Sequence, residues 1–437
     1  MIPGVRSPLP GFDVLRRIET RNFPAFLVGG AVRDLLWGLP VRDVDIVTLA
    51  PPEVLRELFP EARNVGVSPR AVWLVPREGG LAEVSSCFPH SLEEDLERRD
   101  FTVNALALGR DGELVDRVGG MEDILRGRLR WNGDPRERLR QDPLRALRLA
   151  RFAATLPGVD LVSEALAPCA AVASALRGLP GERVGREMRK GFQGNAALFL
   201  ELLDQGRMLD AVLPELEDLR GVVQGSSGED VLDHTRRVLG VLSRNSRDLR
   251  DRGGALWHDV GKASCSFREG ARVPFPGHEA WGARRAAERM TFWRWPRSDV
   301  AYVEALVRHH TLCAFPPSRK LLVRLARRRG VEWLESLLLL ARAHGLEKGS
   351  PFPWWEAHRR EVLALRCRRA RRPEVLLSGR EIMALAALSP GPRVGALRSR
   401  LEEAVDLGEV ATRQEAEVWV VLRSAASEGD GGTRGAS

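Results

Sequence analysis

The most constraining stretch of this chain is LVGGAVRDLLWGLPVRDVDIVT, Leu27 to Thr48. An apolar run ends in two adjacent glycines, a short helix-compatible segment carries Arg33 and Asp34, and a second apolar run follows Asp43-x-Asp45. Adjacent glycines let backbone N–H groups approach phosphate oxygens closely, and a helix N-terminus behind them adds a dipole that favours an anion. Residues two apart on a strand project to one face, so the pattern places Asp43 and Asp45 side by side. Two carboxylates that close repel unless a cation neutralises them. Hard oxygen donors favour magnesium, which bridges protein carboxylates and substrate phosphates. Asp-x-Asp alone is most often a surface turn; the glycine pair and the intervening helix point instead to a nucleoside triphosphate site.

The surrounding texture agrees with an α+β head. From Phe26 to about Val118, short apolar runs such as DVDIVT, AVWLVP and LAEVSS alternate with turn residues, predicting a small mixed sheet with a few helices over 1–125. Over 126–220 apolar residues recur at helical spacing, as in Leu144, Leu147, Ala150 and Ala154, so an all-α neck follows. Gly221–Asp230 is rich in Gly and Ser and reads as a linker. Helical patterning resumes over 230–345, is broken by Gly349, Pro351 and Pro353, and returns over 346–425. Residues 426–437 hold nothing to bury and are expected to be disordered. A chain of 437 residues has room for several such bodies.

A formal charge of +8 suits a polyanionic partner, nucleic acid first. Almost all of the positive charge is arginine, which GC-rich codon usage would explain equally well. The five cysteines are odd in number and scattered, with no metal-ligand spacing and no disulfide framework, which fits a reducing cytoplasm. No apolar run is long enough for a signal peptide or a membrane span, so no membrane partner is expected.

GGAVRDLLWGLPVRDVDI resembles, almost residue for residue, the opening motif of class II tRNA nucleotidyltransferases and bacterial poly(A) polymerases. The resemblance implies a nucleotidyltransferase head in which Asp43 and Asp45 are the catalytic ligands of Mg2+ and Gly29, Gly30, Arg33 and Asp34 attend the phosphates. Glu83, in LAEVSS, stands where a third metal carboxylate would join them, although an exposed glutamate on an edge strand is the usual case. RRDFTVNALAL, from Arg98, is similar to the family's second motif, which implies that Arg99, Asp100 and Asn104 contact the incoming ribonucleotide. Asp100 read by its position alone is equally a cap for the segment after it.

QDPLRALRLARFAA, from Gln141, resembles the family's base-reading motif and implies that Asp142 and Arg145, with Arg148 and Arg151 along the same helix, template CTP or ATP. Asp142 and Arg145 are three apart and share a helix face. An aspartate before proline also starts helices, and the two roles are compatible. Gln141 replaces the family's glutamate, removing a charge that would orient the arginine. GERVGREMRKGF resembles the last helical motif, with Glu182, Arg183 and Glu187 supporting the neck. The connection VSSCFPHSLEEDLE contains no arginine, lysine or glycine. Family members that add all three nucleotides carry a longer, arginine-containing segment there, and its loss marks members that add only CC. The expectation is CC addition to tRNA, with complete CCA addition as the alternative.

The phrases HTRRVL, LWHDVGK, PGHEAWGA and VRHH resemble an HD-type phosphohydrolase body, implying His234, His258, Asp259, His278 and His309 as ligands of a second divalent metal. No aspartate lies between Asp299 and Asp406, and ARAHG stands where such domains place a late aspartate. The C-terminal segment from Ser378 resembles the family's tail, which lies toward the tRNA elbow, and the partner the resemblance implies is tRNA at its acceptor stem and elbow. Two further readings share these residues: a poly(A) polymerase, and an HD-domain hydrolase with an inactive polymerase head.

Overall fold

The computed structural model describes residues 9–65, 71–161, 163–225, 228–265, 274–347, 352–370 and 376–426. The chain divides into two compact units, Met1–Glu217 and Asp218–Ser437.

In the first unit, α1 (Phe12–Glu19) buries Phe12, Val14, Leu15 and Ile18, the spacing of an amphipathic helix against a sheet. The sheet, among the described residues, has the order β3 (Arg63–Val65), β4 (Val72–Arg77), β5 (Gly80–Ser86), β2 (Val44–Thr48), β1 (Ala25–Val28), β6 (Leu106–Leu108) and β7 (Leu114–Asp116). Only β2 and β5 run parallel among these pairs, and their register sets Asp45 opposite Glu83. Helix α2 (Gly30–Leu36) joins β1 to β2, α3 (Pro52–Leu58) follows β2, α4 (Leu92–Glu97) follows β5 and α5 (Gly120–Leu125) follows β7. The mixed sheet agrees with the α+β expectation.

The helices that follow are α6 (Pro135–Gln141), α7 (Leu144–Thr155), α8 (Ala173–Arg177), α9 (Gly181–Gln193), α10 (Ala196–Gln205), α11 (Leu209–Val212) and α12 (Pro214–Glu217). Helix α7 is buried on most of its circumference and packs against α9 and α10. Phe152 on α7 meets Phe101 edge-on at 5.6 Å, and Phe101 meets Trp131 at 4.9 Å, an aromatic seam that fixes α7 to the second motif of the head.

The second unit is helical: α13 (Val231–Asn245), α14 (Leu249–Trp257), α15 (Lys262–Cys265), α16 (His278–Phe292), α17 (Arg297–His309), α18 (Arg319–Arg329), α19 (Val331–Glu347), α20 (Trp355–Ala370), α21 (Gly379–Ala386), α22 (Pro392–Leu407) and α23 (Arg413–Ala426). Helices α21 to α23 share a core of Ile382, Leu397, Leu401 and Val420. Within the expected linker Gly221–Asp230 the described residues include a short backbone pairing. Val223–Gln224 pairs with Glu229–Asp230, and the Asp230 carboxylate accepts from the N–H groups of Leu232 and Asp233 to cap α13. Of the expected disordered tail, Ala426 ends α23 and 427–437 lie outside the described residues. Among the described residues no helix is long and apolar enough to cross a membrane.

Candidate active site

A cavity of about 550 Å3 opens where the head meets α7 and α9, and Gly29, Asp43, Asp45, Arg99, Asp142 and Arg145 are among its walls. At its head end the chain leaves β1 through Gly29, whose φ of 62° lies in the left-handed region. A side-chain carbon there would also lie 2.6 Å from Nη1 of Arg99, so the backbone favours glycine and a side chain would push the guanidinium tip aside. Gly30 carries neither constraint.

Asp43 precedes β2 and Asp45 lies within it, and both face the cavity. The Asp45 carboxyl is pushed up to about 6, first by burial, then by the charge of Glu83, with Asp43 adding and Arg99 and Arg33 opposing. Carboxylates that repel one another in a half-buried site fit a divalent cation, and an all-oxygen donor set fits a hard one. Glu83 adjoins Asp45 across the strand pair but is exposed and does not line the cavity. Arg99 is held by Asp95, one turn earlier, through Nε at 3.1 Å and Nη2 at 2.8 Å. Asp95 escaped the sequence reading; its i,i+4 spacing to Arg99 was the available signal.

Arg33 is buried and donates to Asp34 at 2.6 and 2.9 Å and to Asn104 Oδ1 at 2.6 Å. Asn104 in turn donates to Asp100 Oδ1, which also accepts from the Phe101 N–H, while Asp100 Oδ2 accepts from Arg148 Nε at 2.7 Å. Burial works against the Asp100 charge, but Arg148 and these hydrogen bonds outweigh it and hold its carboxyl below the usual range. Asp100 thus lines the cavity and does not cap the 3-10 turn Thr102–Asn104 that follows it.

On the neck side, Asp142 Oδ1 accepts from the Leu144 N–H, starting α7, and Oδ2 accepts from Arg183 at 2.9 Å. Arg145 is pinned by three acceptors: Gln141 Oε1 at 2.9 Å, the Arg138 carbonyl at 3.1 Å and the Arg98 carbonyl at 2.8 Å. The orienting role that a glutamate charge would play falls to the Gln141 amide oxygen. Arg148 and Arg151 line the same cavity but are engaged elsewhere: Arg148 with Asp100, and Arg151 with Glu187 Oε2 at 2.6 Å. Both stand over the Phe152 ring, Arg151 at 3.6 Å and Arg148 at 5.5 Å. Burial lowers Arg151 to about 10 despite Glu187. Arg98, Arg186 and Lys190 add cationic wall that the motifs did not single out.

The second unit brings a separate set of groups together. The buried ligand atoms of His234, His258, Asp259 and His344 lie within 4.8 Å of one another, as do those of Asp259, His278 and His310. The Nδ1 atoms of His258, His278 and His310 face the carbonyls of Ala255, Phe275 and Val307 at 2.8, 2.8 and 2.7 Å. A carbonyl only accepts, so each Nδ1 carries a proton, and Nε2 is the nitrogen that each ring turns inward. Nε2 of His258 faces Nε2 of His234 at 3.4 Å, and Nε2 of His278 faces Nε2 of His310 at 3.3 Å. Asp259 Oδ2 accepts from Lys262 at 2.6 Å, while buried Oδ1 has no hydrogen-bond partner. Converging ring nitrogens with one carboxylate fit a borderline divalent ion.

This geometry corrects the sequence expectation at one position and completes it at another. His309 packs edge-on against Trp333 at 5.8 Å, and its neighbour His310 enters the cluster, because adjacent residues on a helix point about 100° apart. His344, in ARAHG, occupies the place where an aspartate was sought, its ring centroid 4.7 Å from that of His234.

A family profile described as the poly(A) polymerase head domain matches residues 25–75 and 75–130. The A-adding tRNA nucleotidyltransferase of Deinococcus radiodurans is 38% identical over 434 residues, spanning 93% of this chain and 97% of that protein. The CC-adding tRNA nucleotidyltransferase of Thermus thermophilus is 36% identical over 423 residues, spanning 91% and 93%. Among solved structures, the Bacillus stearothermophilus CCA-adding enzyme in complex with CTP superposes with a TM-score of 0.61 at 27% identity, covering 96% of this chain and 98% of that one. Likeness of that extent to whole relatives, with the motif residues gathered in one cavity, makes this chain a member of the tRNA nucleotidyltransferase family and an RNA nucleotidyltransferase.

Proposed function

We infer that the enzyme adds C, two residues in succession, to the 3′ end of tRNA, taking CMP from CTP with Mg2+ held by Asp43 and Asp45. Held by Asp43 and Asp45, the ion would supply charge neutralisation at the α-phosphate and would lower the pKa of the attacking RNA hydroxyl. Arg99, Arg33 and the Gly29 turn attend the triphosphate, Asp100 and Asn104 attend the ribose, and Asp142 and Arg145 offer an acceptor and donors to the base. The RNA 3′ oxygen bonds to the α-phosphorus as the bond to pyrophosphate breaks.

The observation that supports a restriction to one base is the tethering of the 87–91 connection and of Arg145; the choice of C follows the short connection, which resembles that of CC-adding members. Residues 87–91 are tied down by hydrogen bonds from the Cys87 N–H to Thr48 O at 3.0 Å, from the His90 N–H to Cys87 O at 2.7 Å, and by the Ser91 cap on α4. Arg145 is held at three acceptors. A pocket so tied presents one donor and acceptor pattern.

The test supplies tRNA lacking its 3′ end with CTP and ATP and sequences the product. Termination after CC supports the proposal, and efficient terminal A addition overturns the restriction. The A-adding relative supports a second reading, in which only tRNA ending in CC is extended, by one A. A long A tract on generic RNA would instead support a poly(A) polymerase.

For the histidine cluster we infer a divalent metal site, supported by the inward Nε2 atoms and by Asp259 Oδ1, which lies 3.6 and 3.5 Å from Nε2 of His278 and His310. Metal content by mass spectrometry, lost in His258→Ala, tests it. Phosphate release from phosphoesters, lost in the same variant, tests the hydrolase expectation.

A further inference from the structure

A second cavity, of about 570 Å3, adjoins the first, and the two share Asp95, Arg98, Asp142 and Arg145. Its outer wall is the short connection itself, Ser86 to His90. Phe88 sits in that wall with 55% of its surface exposed, whereas Phe59 and Phe101 of the same head are fully buried. The ring is presented by a tethered backbone: the Phe88 N–H donates to Ser86 Oγ, and the His90 N–H closes a turn onto Cys87 O.

A lone exposed apolar side chain is ordinary, so the argument rests on where this one stands. It borders a cavity that also carries the half-exposed guanidinium of Arg98 and adjoins Asp142 and Arg145, the residues facing the base. An aromatic face beside a cation is the arrangement that holds single-stranded nucleic acid, the ring stacking a base and the cation facing its phosphate. The reaction has two substrates. A nucleoside triphosphate accounts for the cavity at Asp43 and Asp45, and the end of the RNA has to lie beside it, because its terminal hydroxyl attacks that nucleotide.

We propose that the second cavity receives the 3′-terminal nucleotide of the RNA acceptor, its base stacked on Phe88 and its phosphate facing Arg98. The connection between β5 and α4 is then a fixed platform for the acceptor. This rests on the RNA nucleotidyltransferase assignment and not on which nucleotide is added.

The experiment measures steady-state kinetics of the full chain on tRNA lacking its 3′ end, with Phe88→Ala and Phe88→Trp beside the wild type, and repeats them on the same RNA with an abasic 3′-terminal residue. Phe88→Ala is expected to raise KM for the RNA by about tenfold, the scale of one lost stack, with KM for the nucleotide and kcat unchanged. Phe88→Trp restores it. The abasic end raises the wild-type KM by a similar factor and has no further effect in Phe88→Ala. An unchanged RNA KM in Phe88→Ala, a rise in the nucleotide KM instead, or an abasic penalty that persists undiminished in the variant overturns the proposal. The second of these outcomes would assign the cavity to the incoming nucleotide.

Discussion

Nη1 of Arg99 occupies the space where a side chain at Gly29 would begin, 2.6 Å from the ideal Cβ position. The guanidinium is drawn there by Asp95 and lies close enough to Asp45 to favour its ionised form. Gly29→Ala therefore displaces a cation that favours the charged Asp45 carboxylate, and adds the strain of a left-handed alanine, about 1 kcal/mol. The expected result is a lower Tm and at least about a tenfold loss in kcat/KM for the nucleotide. Gly30→Ala has ordinary contacts and helical geometry, so it leaves Tm unchanged or raises it. Thermal denaturation of both variants, with kinetics on Gly29→Ala, checks the contrast.

Asp45 destabilises the metal-free fold at neutral pH. Its carboxyl is raised from 3.8 to about 6, so the folded protein holds the proton more tightly than the unfolded chain. The stability this confers is complete below about pH 4 and is lost as pH rises through about 6. Asp45→Asn removes the penalty, so in chelator its Tm should exceed that of the wild type at pH 8, by the equivalent of on the order of 1–3 kcal/mol after allowing for solvent screening. At pH 4 the two should coincide. Added Mg2+ should raise the wild-type Tm at pH 8 and leave that of Asp45→Asn unmoved, while activity in the variant is abolished. Melting curves across that pH range, with and without the ion, decide it.

The parts of the site that sequence made legible are those whose geometry is local. Gly29, Asp43 and Asp45 are placed by one turn and one strand, and their spacing is enough to put them in a shared cavity. Arg148 and Arg151 are different, because what a helix residue does is decided by what packs against it. Glu187 arrives on α9 from 36 residues away and takes Arg151, while Asp100 takes Arg148. Both arginines stay on the cavity wall, yet their hydrogen bonds go to the Asp100 and Glu187 carboxylates of that same wall. Composition is silent about backbone pairing in the same way: within the expected linker Gly221–Asp230, Val223–Gln224 pairs with Glu229–Asp230.

Gln141 holds Arg145 with a neutral oxygen where the family pattern has a charge. Gln141→Ala removes that acceptor and one from Arg138, leaving Arg145 free to present its donors at more than one angle. Discrimination between CTP and ATP, whichever is preferred, should fall by about tenfold, the scale of one hydrogen bond to a charged group. Gln141→Glu preserves an acceptor at the same place and should retain the preference. Single-nucleotide incorporation with each triphosphate alone measures the ratio. Equal discrimination in the alanine variant and the wild type would show that the carbonyls of Arg98 and Arg138 suffice.

His309 and His310 are neighbours in sequence and opposites in role. The His310 ring is buried, gives its Nδ1 proton to Val307 O at 2.7 Å and aims Nε2 at His278 and Asp259. His309 lies on Trp333, and burial together with Arg308 lowers its pKa. If the buried cluster holds a divalent ion, His310→Ala deletes a ligand and should weaken binding by at least about tenfold. It should also remove the rise in Tm that the ion confers, since an ion bound only by the folded state stabilises it by mass action. His309→Ala loses a packing contact of about 1 kcal/mol, lowering Tm with and without the ion alike, while leaving the increment and the metal content intact. Isothermal titration with Mn2+, Ni2+ or Zn2+ into chelator-treated protein, paired with melting curves, separates the two. Loss of binding in His309→Ala and not in His310→Ala would reverse the ligand assignment, and binding unaffected by either would place the ion elsewhere.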